Sequence, residues 1–210
     1  MNITVISDTH GKEPVLPGGE LLIHCGDLSI HGFRVEVIKQ LNYLHEQLEK
    51  YDKIILMPGN HDLFAERHPK QFEEACAIAG LELLINNSTT YKDLKIWGSP
   101  VTPIYHDWAF NRDQSKRFDL YENIPHDTQL VVTHGPPRFV LDQNHEMKHI
   151  GCSELRNKIR EIKPLAHVFG HCHESKGMFF EEGIFYANCA ESVVELVFSN
   201  GIIKPKNWPK

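Results

Sequence analysis

The chain has 210 residues, of which 41% are hydrophobic and 24% are charged, values typical of a globular protein. One domain is the expected organisation at this length. The formal net charge of −6 argues against a general nucleic-acid coat or a protein held on anionic lipid, because both need a basic surface.

The cysteine content indicates a reducing compartment. The five cysteines are odd in number and contain no C-x-x-C pair, which disfavours a disulfide framework or a zinc knuckle. No segment approaches the roughly 18 consecutive apolar residues of a membrane span, and the first residues lack the features of a signal peptide. We therefore expect a cytoplasmic protein with no membrane partner.

The first two predicted strands each end in a candidate metal ligand. Residues 3–6 form an apolar run that stops just before Asp8 and His10. On an extended backbone these two side chains point to the same side, where a carboxylate and an imidazole suit a divalent ion. Residues 21–25 form the second run, which is followed by Asp27. Each pattern alone is also typical of a polar loop, so the prediction depends on its repetition along the chain.

A third strand follows after a helical crossover. Residues 33–50 carry apolar side chains at helical spacing and lead to an apolar run at 53–57, which predicts a βαβ unit in a parallel sheet. This strand ends in Asn60, His61 and Asp62, at the strand end where open α/β sheets bind ligands. Asparagine offers a metal an amide oxygen, histidine offers a base or a proton, and aspartate can orient that histidine from behind. A polar turn is the alternative for these residues taken alone.

In the middle of the chain, the alternation of strand and helix gives way to consecutive strands. A helix is predicted at 69–79, a short helix at 115–121, and short strands at 83–85, 89–91 and 94–97. The irregular stretch 98–111 carries aromatic rings, namely Tyr105, His106, Trp108 and Phe110. Such side chains can stack on a base or sugar, although filling the gap between a loop and the core is the more frequent role.

Two further strands end on histidines. They are residues 129–133, followed by His134, and residues 166–169, followed by His171 and His173. Cys172 is expected to face away from its two neighbours on an extended backbone, so we do not count it as a ligand. Between these strands, the polar stretch 138–151 is either a wall of the substrate pocket or a plain surface loop. A helix at 152–162 follows it, with Ser153 as the expected N-cap.

The remaining chain is predicted to consist of strands at 178–180, 184–187 and 193–198. The last residues, 204–210, contain two prolines and are expected to form a loose C-terminal tail. The predicted organisation is thus a single domain over residues 1–203 followed by this tail.

Taken in order, the motifs D-x-H, G-D, G-N-H-D, a lone histidine after a strand, and G-H-x-H resemble those of the calcineurin-like metallophosphoesterases. The resemblance runs from Asp8 to His173 and includes every ligand type of the family in sequence. It implies an α/β fold with four α-β-β-α layers, in which two mixed β-sheets pack face to face between outer helices.

The resemblance also implies a dinuclear metal centre in which Asp27 bridges two divalent ions. The ligands of one ion would be Asp8, His10 and His173, and those of the other would be Asn60, His134 and His171. His61 matches the catalytic histidine of the family, and Asp62 is expected to orient it. Oxygen and nitrogen donors without thiolate suit Mn²⁺, Fe, Zn²⁺ or Co²⁺.

The implied activity is metal-dependent hydrolysis of a phosphodiester by a hydroxide held between the two ions. The phosphoprotein phosphatases carry a second aspartate and an arginine where Leu28 and Ser29 follow Asp27 here, which disfavours that branch. The motifs look more like the small phosphodiesterase branch and the related metallophosphoesterase-domain-containing group. A small phosphoester is therefore the expected substrate, with cyclic nucleotides, particularly 2′,3′-cyclic ones, as candidates.

Other functions are compatible with the same motifs. A phosphomonoesterase or a nuclease would use the same residues, but long nucleic acid ranks lower because the chain is acidic and carries no added DNA-binding domain. A non-catalytic scaffold is an alternative of a different class. Degenerate relatives lose ligands or the catalytic histidine, whereas this chain retains all of these positions.

Overall fold

The structure is a computed structural model, and it describes residues 1–207. Five α-helices occur in this part of the chain: α1 (Arg34–Glu46), α2 (Leu63–Arg67), α3 (Pro69–Ile78), α4 (Gln114–Glu122) and α5 (Ser153–Ile162). The first seven strands are β1 (Asn2–Ile6), β2 (Gly19–His24), β3 (Tyr51–Leu56), β4 (Glu82–Leu83), β5 (Asn87–Tyr91), β6 (Leu94–Ser99) and β7 (Thr102–Pro103). The other seven are β8 (Asn111–Arg112), β9 (Leu130–Thr133), β10 (Ala166–Phe169), β11 (Gly177–Glu181), β12 (Ile184–Asn188), β13 (Val193–Ser199) and β14 (Ile202–Pro205).

Twelve of these strands form two mixed sheets. The first sheet has the order β14-β13-β1-β2-β3-β4, and the second has the order β11-β12-β10-β9-β6-β5. The neighbouring strands β1, β2, β3 and β4 are parallel, as are β6, β9, β10 and β12. The pairs β1-β13, β13-β14, β11-β12 and β5-β6 are antiparallel. Because parallel neighbours share one direction, their carboxyl ends meet at one edge of each sheet.

The apolar side chains divide into three buried layers. One cluster lies between the two sheets and includes Val5, Ile23 and Val168. A second joins the first sheet to α1 and α3, and a third joins the second sheet to α4 and α5. Strands covered on both faces consist of apolar runs rather than alternating patterns, which is why β2, β3 and β9 were recognisable in the sequence. The predicted four-layer α-β-β-α sandwich is confirmed.

Two local predictions differ from the structure. Ser153 is the first helical residue of α5 rather than its N-cap, and Cys152 holds the N-cap position without a side-chain capping hydrogen bond to the helix backbone. The first residues of the predicted tail are ordered, because β14 pairs with β13 and the Lys206 amide donates to the Glu195 carbonyl at 2.9 Å. Residues 208–210 of that tail lie outside the described residues. Within residues 1–207, no helix is long and apolar enough to cross a membrane.

Candidate metal centre

The residues predicted to be metal ligands lie in the turns after β1, β2, β3, β9 and β10. Backbone hydrogen bonds join these turns to one another. The Asp8 amide donates to the Gly26 carbonyl at 2.9 Å, and the Gly170 amide donates to the His134 carbonyl at 2.9 Å. The carboxyl ends of the two sheets therefore meet at one rim.

These turns are not extended, although the predicted convergence of Asp8 with His10 and of His171 with His173 assumed an extended backbone. Asp8 has a φ of 55°, His10 of 45°, Asp27 of 59° and His171 of 69°. These values lie in the left-handed region, which Asp and His adopt more readily than most residues other than glycine. The side chains converge because the chain turns sharply after each strand, so the predicted reason for their convergence was wrong although the convergence itself occurs.

The first group of ligands contains Asp8, His10 and His173, whose candidate ligand atoms all lie within 4.8 Å of one another. His173 Nε2 is 3.1 Å from Asp8 Oδ1. His10 Nδ1 is 3.0 Å from the Ser29 carbonyl oxygen, which requires a proton on Nδ1 and leaves the Nε2 lone pair for a metal. This group is the ligand set that the resemblance implies for one ion.

The second group is formed around Asn60. Asn60 Oδ1 lies 2.8 Å from His134 Nε2 and 2.7 Å from His171 Nδ1. The two carboxylate oxygens of Asp27 face the two groups separately, with Oδ1 3.4 Å from His134 Nε2 and Oδ2 3.8 Å from His10 Nε2. Asp27 therefore occupies the position between the groups that a bridging ligand needs.

The chemistry of these donors fits a cation. The Cys25 carbonyl accepts from His134 Nδ1 at 2.9 Å, so in the neutral imidazole the Nε2 lone pair faces the Asn60 amide oxygen. A proton on Nε2 satisfies this contact in the absence of metal, and a cation between the nitrogen and the oxygen would satisfy it in the same way. The separations of 3.1 Å between His173 Nε2 and Asp8 Oδ1 and of 2.8 Å between His134 Nε2 and Asn60 Oδ1 are short enough for each pair of atoms to share one ion.

The buried charges of the centre are strongly coupled. Burial acts to raise the pKa of Asp27, but His134 and the other nearby imidazoles outweigh it and hold that pKa well below its usual range. For His134, burial lowers the pKa, but the Asp27 charge outweighs this effect and raises the pKa to about 9. Burial lowers the pKa of His171 to about 4, so its ring nitrogen is available as a neutral donor at pH 7.

His61 lies at the side of the two groups and is held from several directions. Its Nδ1 atom is 2.6 Å from the Ile30 carbonyl oxygen, and its backbone amide donates to Asp27 Oδ1 at 2.8 Å. The His61 ring lies 4.1 Å from the Trp108 ring, measured between centroids, with an interplanar angle of 32°. With Nδ1 engaged, Nε2 is the nitrogen left to act on a substrate.

Asp62 does not orient His61, so that prediction was wrong. Its buried carboxylate accepts from the backbone amides of Gly59 at 2.8 Å, Leu28 at 3.2 Å and Ser29 at 3.0 Å. The Ser29 hydroxyl also donates to it at 2.8 Å. Burial and then the Asp27 charge raise the pKa of Asp62 to about 6. Asp62 therefore joins the turn after β2 to the turn after β3, and the Ile30 carbonyl holds the imidazole instead.

Close backbone approach explains two glycines of the motifs. A Cβ atom on Gly59 would lie 2.2 Å from Asp27 Oδ1, and one on Gly170 would lie 2.1 Å from Asp8 Oδ2. Real Cβ atoms do not approach other atoms so closely, so only glycine leaves space for the two carboxylates.

A cavity of about 530 Å³ opens over the candidate centre. Its floor carries ligand residues and His61, and its walls come from two loops that the sequence left open to interpretation. The residues from the 98–111 stretch are Pro103, Ile104, Tyr105 and Trp108, and those from the 138–151 stretch are Asn144, His145 and Ile150. Within the 98–111 stretch, Phe110 is buried in the core, which agrees with the gap-filling role, while Tyr105 is 66% exposed at the cavity.

Several contacts of this site were not predicted from the sequence. The stacking of Trp108 on His61 and the place of Glu174 in the cavity wall depend on how loops fold back, and no local pattern marks them. The exclusion of Cys172 agrees with the structure, because its thiol donates to the Gln143 carbonyl at 3.1 Å. All five cysteines are free and buried.

Comparison with known proteins identifies the family of this chain. The sequence profile of the calcineurin-like phosphoesterase family matches residues 1–175. Human metallophosphoesterase domain-containing protein 1 is 29% identical over 215 residues, which cover 90% of this chain and 65% of that protein. A probable rhamnogalacturonate lyase C of Emericella nidulans is 38% identical over 190 residues, which cover 84% of this chain and 17% of that protein.

The chain thus spans about two thirds of the length of the human protein and about a sixth of the length of the Emericella nidulans protein. Among solved structures, the protein TT1561 of Thermus thermophilus superposes with a TM-score of 0.65 at 14% identity, covering 90% of this chain and 88% of that one. This likeness concerns the fold alone. Since the family profile covers most of the sequence, including every candidate ligand, the chain belongs to the calcineurin-like phosphoesterase family.

Proposed function

We propose that this protein is a phosphodiesterase that hydrolyses small phosphodiesters, with cyclic nucleotides among its substrates. The observation that carries the proposal is the position of His61 beside two ligand groups on the floor of one cavity. Membership of the family supports a metal-dependent phosphoesterase in general. The phosphodiester preference and the cytoplasmic setting, for which five free cysteines argue, are parts of this proposal.

The proposed roles follow the two groups. Asp8, His10 and His173 would hold one divalent ion and Asn60, His134 and His171 a second, and Asp27 lies where it would serve both. When bound, two such ions lower the pKa of an attacking water and neutralise charge on the phosphate. Mn, Fe, Zn and Co all suit this mixture of oxygen and nitrogen donors.

The chain itself supplies the proton chemistry and the orientation of the substrate. His61, held through Nδ1 by the Ile30 carbonyl, presents Nε2 to the leaving oxygen and protonates it as the ester bond breaks. Trp108 and Tyr105 provide aromatic surface on the cavity wall, which suits a planar base. A small substrate suits the size of this cavity and the net charge of −6 better than long nucleic acid does.

Hydrolysis of bis-p-nitrophenyl phosphate by protein of known metal content tests the proposal. We expect turnover with added Mn²⁺ and a loss of turnover with EDTA that Mn²⁺ restores. Asp27→Ala removes the shared carboxylate and is expected to lower both metal content and turnover, whereas Asp119→Ala, at an exposed position of α4, changes neither. A wild-type protein that binds metal but hydrolyses neither this diester nor 2′,3′- and 3′,5′-cyclic nucleotides would contradict the proposal and favour a scaffold. Turnover of p-nitrophenyl phosphate alone would favour a phosphomonoesterase.

A further inference from the structure

The four edge strands of the two sheets differ in how well they are protected from pairing. Exposed edges present free backbone groups, and proteins commonly blunt them with short strands, prolines, lysines or polar side chains. Among residues 1–207, β4 has only two residues, β5 has the polar sequence NSTTY, and β14 contains a lysine and a proline. The strand β11, with the sequence GMFFE, has five residues, contains neither proline nor lysine, and has one polar side chain, Glu181, at its end.

The centre of β11 is apolar and exposed. Met178 is 50% exposed, Phe179 is 41% exposed and Phe180 is 60% exposed. The pairing of β11 with β12 places these side chains on both faces of the strand. Phe180 is opposite Phe185, which belongs to the layer between the sheets, and Phe179 is opposite Tyr186, which belongs to the outer layer. An occupant that covers both faces has to continue the sheet, rather than lie on one side of it.

The charges at the ends of β11 indicate what that occupant is. The exposed Lys176 precedes the apolar residues, and Glu181 and Glu182 follow them. Suppose that the β11 strands of two copies pair antiparallel about a twofold axis at Phe179. Each residue then lies opposite the residue of the other copy that is equally far from Phe179 on the other side. Met178 then faces Phe180, and Lys176 faces Glu182. A shift of this register by two residues breaks these pairs, so the segment is complementary to itself.

Glu182 remains able to accept Lys176 in this arrangement. Arg160 already donates to both carboxylate oxygens of Glu182, through Nε to Oε2 at 2.9 Å and through Nη2 to Oε1, but a carboxylate has about four acceptor sites, so each oxygen keeps one lone pair. Lys176 forms no salt bridge with any carboxylate of residues 1–207. We propose that the protein forms a twofold symmetric dimer in which the β11 strands of two copies pair and join their second sheets into one continuous sheet.

The mass of the protein in solution tests this arrangement. We expect light scattering after size exclusion to give twice the 24.2 kDa mass of the chain for the wild type. The double variant Met178→Lys/Phe180→Lys places like charges across the axis and is expected to have the mass of one chain. Ile78→Lys, at a residue of α3 that is 86% exposed, is the matched control and is expected to remain dimeric. A wild type that stays monomeric at about 100 μM would overturn the proposal.

Cross-linking tests the register even if the lysine variant fails to fold. Phe179→Cys places one thiol opposite its own copy, within the Cα separation that a disulfide accepts. We expect mild oxidation to give a covalent dimer of Phe179→Cys but not of Ile78→Cys, because the native cysteines are all buried. Equal cross-linking of the two variants would overturn the proposed register.

A charge exchange provides the last test. Lys176→Glu and Glu182→Lys are each expected to weaken the homodimer, and a mixture of the two proteins is expected to form a heterodimer in which every end pair has opposite charges. If the mixture associates no more strongly than either variant alone, these end pairs do not form.

Discussion

At the scale of single residues, His61 is the side chain on which the proposed chemistry depends most. Its contact with the Ile30 carbonyl holds one ring nitrogen and leaves the other for a proton transfer that typically contributes 10²–10⁴-fold to a rate. We expect His61→Ala to lower kcat by about that factor while metal content, measured by mass spectrometry, stays at the wild-type value. His126→Ala, at an exposed position, is the control. A His61→Ala enzyme with wild-type kcat would show that another group donates the proton.

Trp108 is expected to act through His61. Its ring lies 4.1 Å from the imidazole, and the neighbouring Ala109 amide donates to the Asn60 carbonyl at 3.0 Å, so the loop is attached to the ligand turn. Trp108→Ala removes the ring that packs against one face of the imidazole. Misplacement of a catalytic group by about 1 Å can lower the rate by about 10²-fold. We expect kcat to fall by about 10- to 100-fold with unchanged metal content, and Trp108→Phe to recover most of the loss.

The split between kcat and KM distinguishes this role from a plain substrate contact. If Trp108→Ala raises KM and leaves kcat unchanged, Trp108 binds substrate and does not position the histidine.

At the scale of secondary-structure elements, the centre depends on how the turns after the strands are joined. Asp62 is the clearest case, because its buried carboxylate accepts from three backbone amides and one hydroxyl in the turns after β2 and β3. Asp62→Asn turns an amide group toward some of these donors, and each unsatisfied buried donor costs about 1–3 kcal/mol. We expect a lower free energy of unfolding and weaker metal binding, measured by denaturation and titration.

The exposed Asp119 of α4 supplies the control, since Asp119→Asn is expected to leave both quantities unchanged. If Asp62→Asn lowers only kcat and leaves stability and metal binding intact, Asp62 acts on His61 after all.

The elements also show what limits prediction from local patterns. Strands β2, β3, β9 and β10 are buried on both faces, so their apolar runs were recognisable and the polar residues after them could be located. Left-handed conformations at Asp8 and Asp27 carry no comparable signal, because they depend on hydrogen bonds between turns that are distant in sequence. The hydrogen-bond partners of Asp62 also lie in turns that are distant in sequence, so no local pattern predicted them.

At the scale of the whole molecule, burial of histidines makes stability depend on pH. His167, in β10, is fully buried, and its Nε2 atom lies 2.7 Å from Thr133 Oγ1. Its Nδ1 atom has no hydrogen-bond partner within residues 1–207. Burial lowers the pKa of His167 from 6.5 to about 3, so the folded protein holds this ring neutral.

This shift has a definite sign. Below pH 6.5 the unfolded chain binds a proton at His167 that the folded chain binds only near pH 3. The contribution of neutral His167 to the free energy of unfolding is therefore fully present above pH 6.5 and is lost as the pH falls toward 3. We expect His167→Gln, which keeps a donor to Thr133, to reduce the slope of unfolding free energy against pH by about 1.4 kcal/mol per pH unit in this window. His126→Gln is the exposed control. Parallel curves for His167→Gln and the wild type would contradict the expectation.

The sequence by itself determined the order of strands and helices, the identity of the candidate ligands and the family to which they belong. These features are local, since an apolar run and the polar residues after it are adjacent in the chain. Only the tertiary structure decided the contacts that no motif implied: Trp108 with His61, the Ile30 carbonyl with His61 Nδ1, and Asp62 with backbone amides instead of the imidazole. The physical reason is that these contacts join segments far apart in sequence, and their geometry is set by the packing of two sheets and by turns that no neighbouring residue specifies.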